Sequence, residues 1–379
     1  MLAYDEKHKL QEFEGGREIN VCRKCHRLYR QSLYVQIPGE RVREYDICPY
    51  CSEENGNSMS YGYFNSELND SELIKLKRKS LIGTVVKYCH EQYQSGGCIN
   101  CTHEDKCRSE CSGNCRRCLE EVHFPVSYPY GKRDYDCVRM LQFYICAYAA
   151  KYASEMVYIM RRSEALRQID DYHVVSVGCG GCPDLMAFET YCHQEENWKS
   201  VSYVGIDVNE KWSDIHNVIK KYRTSTLQRA QFLYLDAVTD DYSAISGANV
   251  IVLQYVISYF YNTGQIDKIG SFFDKLIEKI IANKQEKEPF VIVINDINSE
   301  RKGRNRFPII AEKLKNAGYH VKSAMYYFNY NNNRRYGTMH ESNQVLYEMP
   351  TDLRIYQPWG KCSSAQLLIE VWEEEENDN

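Results

Sequence analysis

The sequence predicts an α/β protein: a seven-stranded, mostly parallel, doubly wound sheet, preceded by a small cysteine-rich zinc-binding region and a helical bridge. Three observations carry this prediction. From residue 173 onward, short apolar runs alternate with longer amphipathic segments, the pattern of a parallel sheet with helices on both faces. Eleven of the 17 cysteines fall before residue 120 and only one after residue 192, so the two halves differ in kind. Apolar residues at 43% and charged residues at 26% are ordinary for a folded chain of 379 residues and exclude wholesale disorder. A formal net charge of −5 argues against coating nucleic acid by bulk electrostatics and leaves local basic patches open.

The N-terminal residues MLAYDEKHKL are charged at once and lack a secretory pattern, and the apolar stretches 146–160 and 248–261 are too short to span a bilayer. The expectation is a reducing cytoplasm and no membrane partner, where clustered cysteines bind metal more often than they form disulfides. Within residues 1–65, Cys22-Arg-Lys-Cys25 and Cys48-Pro-Tyr-Cys51 each form a Cys-x2-Cys knuckle. Four thiolates close a tetrahedron around Zn²⁺ and leave no open position, which makes a structural site. LYRQSLYVQI and REYDI between the knuckles alternate as ribbon strands do, and the segment resembles a zinc ribbon. Arg23, Lys24, Arg27, Arg30, Arg41 and Arg43 are candidates to grip a phosphate backbone or a protein partner, against the plainer reading of a solvated face.

Residues 66–125 read as a helix over 66–95, with Asp70 or Ser71 as N-cap, followed by a second metal cluster. Cys98, Cys101, Cys107, Cys111, Cys115 and Cys118 place six thiols in 21 residues, which points to zinc or an iron–sulfur cluster, the identity open. Cys111-x3-Cys115-x2-Cys118 has the spacing of radical S-adenosylmethionine enzymes. Arg117, however, stands where an aromatic is usual, and no repeated strand–helix barrel pattern follows. Residues 126–170 form an aromatic, mostly helical bridge, and the tail 374–379 is acidic.

In residues 171–373 the strands follow in order: 173–178, 203–207, 231–236, 249–254, 290–295, 320–327 and 366–372. Helices are expected over 184–192, 212–222, 265–283 and 307–317. VSVGCGGCPDL, YVGIDVN, FLYLDA and NVIVLQYV occur in an order that resembles the class I, Rossmann-like S-adenosylmethionine-dependent methyltransferases. A nicotinamide site would want a third glycine where Pro183 stands. The resemblance implies S-adenosylmethionine as cofactor and gives each motif residue a role. Gly178 and Gly180 admit its methionine part, Asp184 orients its amino group, and Asp207 accepts from the ribose hydroxyls. Asp236 and Ala237 flank adenine, and Gln254 ends the fourth strand where methyl meets acceptor. Tyr130, Arg133 and Arg139 in the bridge are candidates to cap this pocket. Cys179 and Cys182 read as small loop residues rather than ligands.

The acceptor is left wider. Leu253-Gln254-Tyr255-Val256 departs from the Asn/Asp-Pro-Pro-aromatic tetrapeptide of amine methylation, and no cysteine nucleophile stands near that strand end. Tyr255, Asn295 and Asp296 are the candidate catalytic residues on the acceptor side; Tyr259 reads as core. The loops RKGRNR (301–306) and NNNRRY (331–336) favour nucleic acid, RNA first, over a protein acceptor and a small molecule last, with a partner in a protein complex as a further expectation. The rival readings are a non-catalytic methyltransferase-like assembly factor and radical chemistry at Cys111, Cys115 and Cys118.

Overall fold

A computed structural model describes residues 80–95, 115–124, 134–194, 199–224, 226–241, 245, 247–279, 289–330 and 335–372, together with the backbone of five short strands near the N-terminus. These strands are β1 (Leu2–Tyr4), β2 (Leu10–Glu12), β3 (Glu18–Val21), β4 (Leu28–Gln31) and β5 (Ile74–Lys75). β3 and β4 pair antiparallel in a register that sets Glu18 against Gln31. The expected ligands Cys22, Cys25, Cys48, Cys51, Cys98, Cys101, Cys107 and Cys111 lie outside the described residues, as do Tyr130, Arg133 and the acidic tail.

The first described helix, α1 (Leu81–Ser95), starts well after the expected residue 66, because Ser80 Oγ accepts the Gly83 amide at 3.1 Å and caps it. The expected caps Asp70 and Ser71 lie outside the described residues. α2 (Cys115–His123) carries Cys115 and Cys118 three residues apart on its buried face. α3 (Val138–Met160) is buried nearly all round, as an apolar helix inside a core must be, although Lys151, Ser154 and Glu155 lie along it. A short α4 (Glu164–Gln168) leads into the sheet.

From there strands and helices alternate: β6 (Asp171–Val177), α5 (Pro183–Gln194), β7 (Ser200–Ile206), α6 (Ser213–Lys221), β8 (Leu227–Leu233), β9 (Val250–Gln254), α7 (Ile257–Asn262), α8 (Ile269–Lys279), β10 (Phe290–Ile297), α9 (Pro308–Asn316), β11 (His320–Tyr327), β12 (Thr338–Met339), β13 (Tyr347–Glu348) and β14 (Ser364–Trp372). Among the described residues the main sheet has eight strands, one more than expected, in the order β12-β11-β14-β10-β9-β6-β7-β8. The extra one is two-residue β12, which pairs parallel with the end of β11. β14 runs antiparallel between β10 and β11, and the rest of the sheet is parallel. Five parallel strands thus reverse their direction of travel between β6 and β9, and an antiparallel strand is inserted beyond β10.

Alternation along the central strands explains their unbroken apolar runs. Val174, Val250, Val252, Val291 and Val293 enter the core shared with α1, α2, α3, α5 and α6. Their neighbours Val175, Ile251, Leu253, Ile292 and Ile294 enter the core under α7, α8 and α9. Both faces are covered, so no polar alternation is possible. Two element boundaries moved for local reasons. β8 ends at Leu233, not 236: the Leu235 amide still pairs with the Asp207 carbonyl, and residues 236–240 then close a turn. α8 begins at Ile269, after a 3-10 turn at Ile266–Lys268. Among the described residues, no helix is long and apolar enough to cross a membrane.

Candidate active site

The strand order reverses between β6 and β9, and in such a sheet ligands bind outside the carboxyl ends of the strands at that point. A cleft of about 310 Å³, open space included, lies there. It is lined by Tyr144, Tyr152, Ser176, Gly178, Cys179, Gly180, Gly181, Pro183, Asp184, Gln254 and Tyr255.

One wall is the turn from β6 to α5. Gly178 has φ +66°, and a Cβ there would meet Val256 Cγ2 at 2.8 Å, so this position takes glycine on two grounds. The Gly178 and Cys179 amides both donate to the Ile206 carbonyl, at 2.8 and 3.1 Å, tying the turn to the end of β7. Asp207 completes the tie. Its Oδ2 accepts the Gly180 amide at 2.8 Å and its Oδ1 the Asn209 amide at 2.9 Å. Burial raises the pKa of this carboxyl, and the two amide bonds oppose the rise. Gly181 was not singled out in the sequence. A Cβ there would lie 2.0 Å from Ile145 Cδ1, so α3 packs directly on the turn.

Asp184, in the first turn of α5, is almost fully buried and receives the Tyr203 hydroxyl at 3.1 and 3.2 Å. Burial pushes its carboxyl up to about 6, against hydrogen bonds from Ser176, Tyr203 and the backbone. On the opposite wall, Gln254 donates through Nε2 to the Tyr152 carbonyl at 2.9 Å, while its buried Oε1 has no hydrogen-bond partner. An unpaired buried acceptor costs about 1–3 kcal/mol, so a wall of the cleft holds an unanswered demand for a donor.

Tyr255 follows with φ +59°, a costly conformation for an aromatic residue. Its hydroxyl donates to Glu155 Oε2 at 2.8 Å and accepts from Lys151 Nζ at 3.1 Å. Glu155 is fully buried. It also accepts Asn295 Nδ2 at 3.1 Å and the Ser363 and Ser364 amides at 3.0 and 3.3 Å, with Lys151 Nζ 3.5 Å away. Burial first, and Glu155 second, raise the Tyr255 hydroxyl well above its ordinary value, so it is a neutral donor. The bridge helix contributes more than packing. Tyr144, Tyr148 and Tyr152, at four-residue spacing, form a stacked ladder with centroids 5.2 and 5.5 Å apart, ending on Tyr255 at 4.2 Å.

The structure brings Gly178, Gly180, Asp184, Gln254 and Tyr255 to one cleft, with Asp207 behind Gly180. It does not bring Asn295 and Asp296 there. Asn295 is buried among Glu155, Ser364 and Gln366, and Asp296 accepts the Ser258 amide at 3.0 Å; neither lines the cleft. Asp236 accepts the Val238 amide at 2.8 Å in the turn after β8, and Ala237 packs against the second core; neither is in the lining. Tyr259 reaches Asp134 at 3.2 Å. Arg139 lies over the Tyr93 ring of α1 at 4.2 Å. In the RKGRNR loop, Arg304 is turned inward onto Asn298 and Glu300, while Arg301 and Arg306 are exposed.

Sequence reasoning missed Tyr144, Tyr152, Ser176 and the pair Lys151–Glu155. A charged pair at i,i+4 inside an apolar helix was the available signal. His216 on α6 was missed as well, and it stands beside Cys179 and Cys182, all three buried.

No family model matches the chain, and no curated protein matches it in sequence. Among solved structures, it is similar to the plantazolicin methyltransferase BpumL in complex with S-adenosylhomocysteine, at 10% identity and a TM-score of 0.36, covering 77% of this chain and all of that one. The methyltransferase domain of a bacterial Hen1 aligns at 13% identity and a TM-score of 0.33, covering 57% and 98%. The magnesium protoporphyrin IX methyltransferase of Synechocystis PCC 6803 aligns at 9% and 0.33, covering 69% and 98%. At such identities and scores these likenesses carry no weight on activity or substrate, and strand order and register carry the fold.

Proposed function

We propose that the chain is a methyltransferase that uses S-adenosylmethionine. The observation that carries this reading is the partnerless Gln254 Oε1, buried across the cleft from a backbone turn that Asp207 pins. A cofactor with an ammonium and a ribose diol answers that donor–acceptor set. Gly178 leaves the backbone open to its methionine part, and Gln254 Oε1 accepts from its amino group. Asp184 adds negative character beside that group, and Asp207, with lone pairs beyond those the two amides use, accepts from the ribose. When bound, S-adenosylmethionine supplies a methyl group already activated on sulfonium, so what the protein adds is chiefly placement of the nucleophile.

The chain's own residues fit that division of labour. Tyr255 is held neutral between Lys151 and Glu155 and is fixed in position as a hydrogen-bond donor and ring surface, not as a base. The acceptor we infer is a macromolecule, RNA first. Two exposed arginines, Arg301 and Arg306, support an anionic polymer at the loop after β10, with Arg304 withdrawn from that role. Metal binding by the thiols of residues 22–51 and 98–118 is part of the same proposal, with zinc at the two ribbon knuckles; of that set, Cys115 and Cys118 share the buried face of α2.

Calorimetric titration with S-adenosylmethionine and S-adenosylhomocysteine tests the cofactor. One-to-one binding in the micromolar range is expected, and a folded, metal-loaded protein that binds neither overturns the reading. Transfer of a labelled methyl group to total RNA, total protein or small-molecule extract then ranks the acceptors; label in protein or small molecules alone overturns the RNA assignment.

A further inference from the structure

The turn that lines the cleft holds a second, unexpected chemistry. Cys179 and Cys182 bracket Gly180-Gly181, and α6 brings His216 in from 37 residues away. The two Sγ atoms and an imidazole nitrogen all lie within 4.8 Å of one another. Cys179 Sγ is 4.0 Å from His216 Nε2. The Gly180 carbonyl oxygen faces the same point, 2.7 Å from His216 Nε2 and 3.7 Å from Cys182 Sγ. All three side chains are buried, at 4%, 0% and 1% exposure, so this is not a chance surface grouping.

We propose that Cys179, Cys182 and His216 bind one zinc ion, with the Gly180 carbonyl facing the fourth position. Two thiolates and an imidazole suit Zn²⁺ and not Mg²⁺ or Ca²⁺, which prefer oxygen. Tetrahedral edges for Zn–S of about 2.3 Å and Zn–N of about 2.0 Å are about 3.5–3.8 Å, so no two of the three ligand atoms need close by more than about 1.3 Å. On binding, the two thiols release their protons to solvent. The imidazole stays neutral, with Nε2 as ligand and its proton on Nδ1, 3.0 Å from the Tyr234 hydroxyl that receives it. Phe232 stacks on the ring at 3.9 Å and 6°, fixing its plane.

A disulfide would use the same two sulfurs and leave the buried imidazole to its hydrogen bonds with the Gly180 carbonyl and the Tyr234 hydroxyl. Zinc accounts for all four groups. It also accounts for Cys182 at φ +59°, a strained conformation that a ligand bond would hold. The ion would lock the turn that aims the Gly180 amide at Asp207. This coupling to cofactor rests on the methyltransferase reading, whereas the zinc site itself does not.

The test uses the full chain and reads each cysteine separately. Alkylation with iodoacetamide followed by peptide mapping is run on the protein as purified, after a zinc chelator, and after Zn²⁺ is restored. Labelling of Cys179 and Cys182 should rise about tenfold or more on chelation and fall again with Zn²⁺. In a chelated chain shown by circular dichroism to remain folded, a merely buried pair of thiols would show no such dependence, and that result, or a Cys179–Cys182 disulfide in the mapped peptides, overturns the site. His216→Gln should lose one zinc per chain by metal analysis, with the thiols of residues 22–118 unaffected; a folded variant with the parent's zinc content overturns it equally. Should that variant not fold, the labelling of the parent decides. Weaker binding of S-adenosylmethionine by chelated protein supports the lock, and unchanged affinity overturns the lock. Absence of cofactor binding in every state counts against the methyltransferase reading while labelling still decides the zinc.

Discussion

The two walls of the cleft are built in opposite ways. On the β6–β7 side, the turn is tied by backbone amides a few residues from a strand end: Gly178 and Cys179 to the Ile206 carbonyl, Gly180 and Asn209 to the Asp207 carboxylate. On the α3–β9 side, Glu155 gathers donors from α3, from the residue after β9, from β10 and from the start of β14. The first wall is a local device that any chain with the right turn can form. The second exists only after four distant segments have met, so the first should tune ligand binding while the second holds the fold together.

Glu155→Ala gives the largest expected effect. It strands the Lys151 ammonium, 6% exposed, together with the Tyr255 hydroxyl, the Asn295 amide and two backbone amides. Removing one partner of a buried ion pair costs about 3–5 kcal/mol. Urea unfolding should show a loss of that size, and Lys151→Met combined with Glu155→Leu should recover part of it. A loss below about 1 kcal/mol in the single variant would mean that the second wall is not a stability element.

This contrast also explains what the sequence made legible. Gly178, Gly180, Asp184, Asp207 and Gln254 lie within a few residues of strand ends, where a spaced motif reports position directly, and all five stand in or behind the cleft. Asn295 and Asp296 also end a strand, yet β14 inserts antiparallel beside β10 and turns Asn295 toward Ser364 and Gln366. Nothing in the run FVIVIND foretells that neighbour. Lys151 and Glu155 left only their i,i+4 spacing as a signal, since the groups they gather from other elements leave none, and His216 was harder still, because its partners lie in other elements and no local spacing encodes them. The sheet was legible almost whole, because burial on both faces writes itself as unbroken apolar runs; two-residue β12 was too short to leave a signal.

The pH dependence of stability sharpens the comparison, because Asp184 belongs to the first wall yet is buried. Its carboxyl is raised to about 6, above an unfolded value near 3.8. Between these values the folded state holds a proton that the unfolded state has lost. This group's contribution therefore declines as pH rises from about 4 to about 6, by up to about 3 kcal/mol. His123 and His340, lowered by burial to about 4, act in the opposite sense, losing stability as pH falls from 6.5 towards 4. Both terms are common to parent and variant and cancel in a difference. Asp184→Asn keeps an acceptor for Tyr203 and removes the titration, so its stability relative to the parent should climb across pH 4–6 and level above. A flat difference in urea unfolding across that range would contradict the raised carboxyl.

Affinity should report the first wall. Asp207→Ala removes the acceptor of two amides and, on the methyltransferase reading, the ribose contact. It should weaken S-adenosylmethionine binding by about 1–3 kcal/mol in calorimetry. Parent-like affinity in the folded variant would break the cofactor assignment.

Gln254→Met is the smallest effect and the most selective. Methionine fills a similar volume, so the cost to stability is the Nε2 bond to the Tyr152 carbonyl, about 1 kcal/mol, partly offset because an unpaired buried acceptor disappears with it. Binding behaves differently, because Oε1 has no partner in the protein to lose. If a ligand amine is its intended donor, affinity for S-adenosylmethionine falls by about 1 kcal/mol, roughly fivefold, with little change in the urea midpoint. A variant that loses stability but keeps full affinity reverses the assignment: Gln254 would then be a strut for α3 through Tyr152, and the amino group would have to be held by the β6–α5 turn alone.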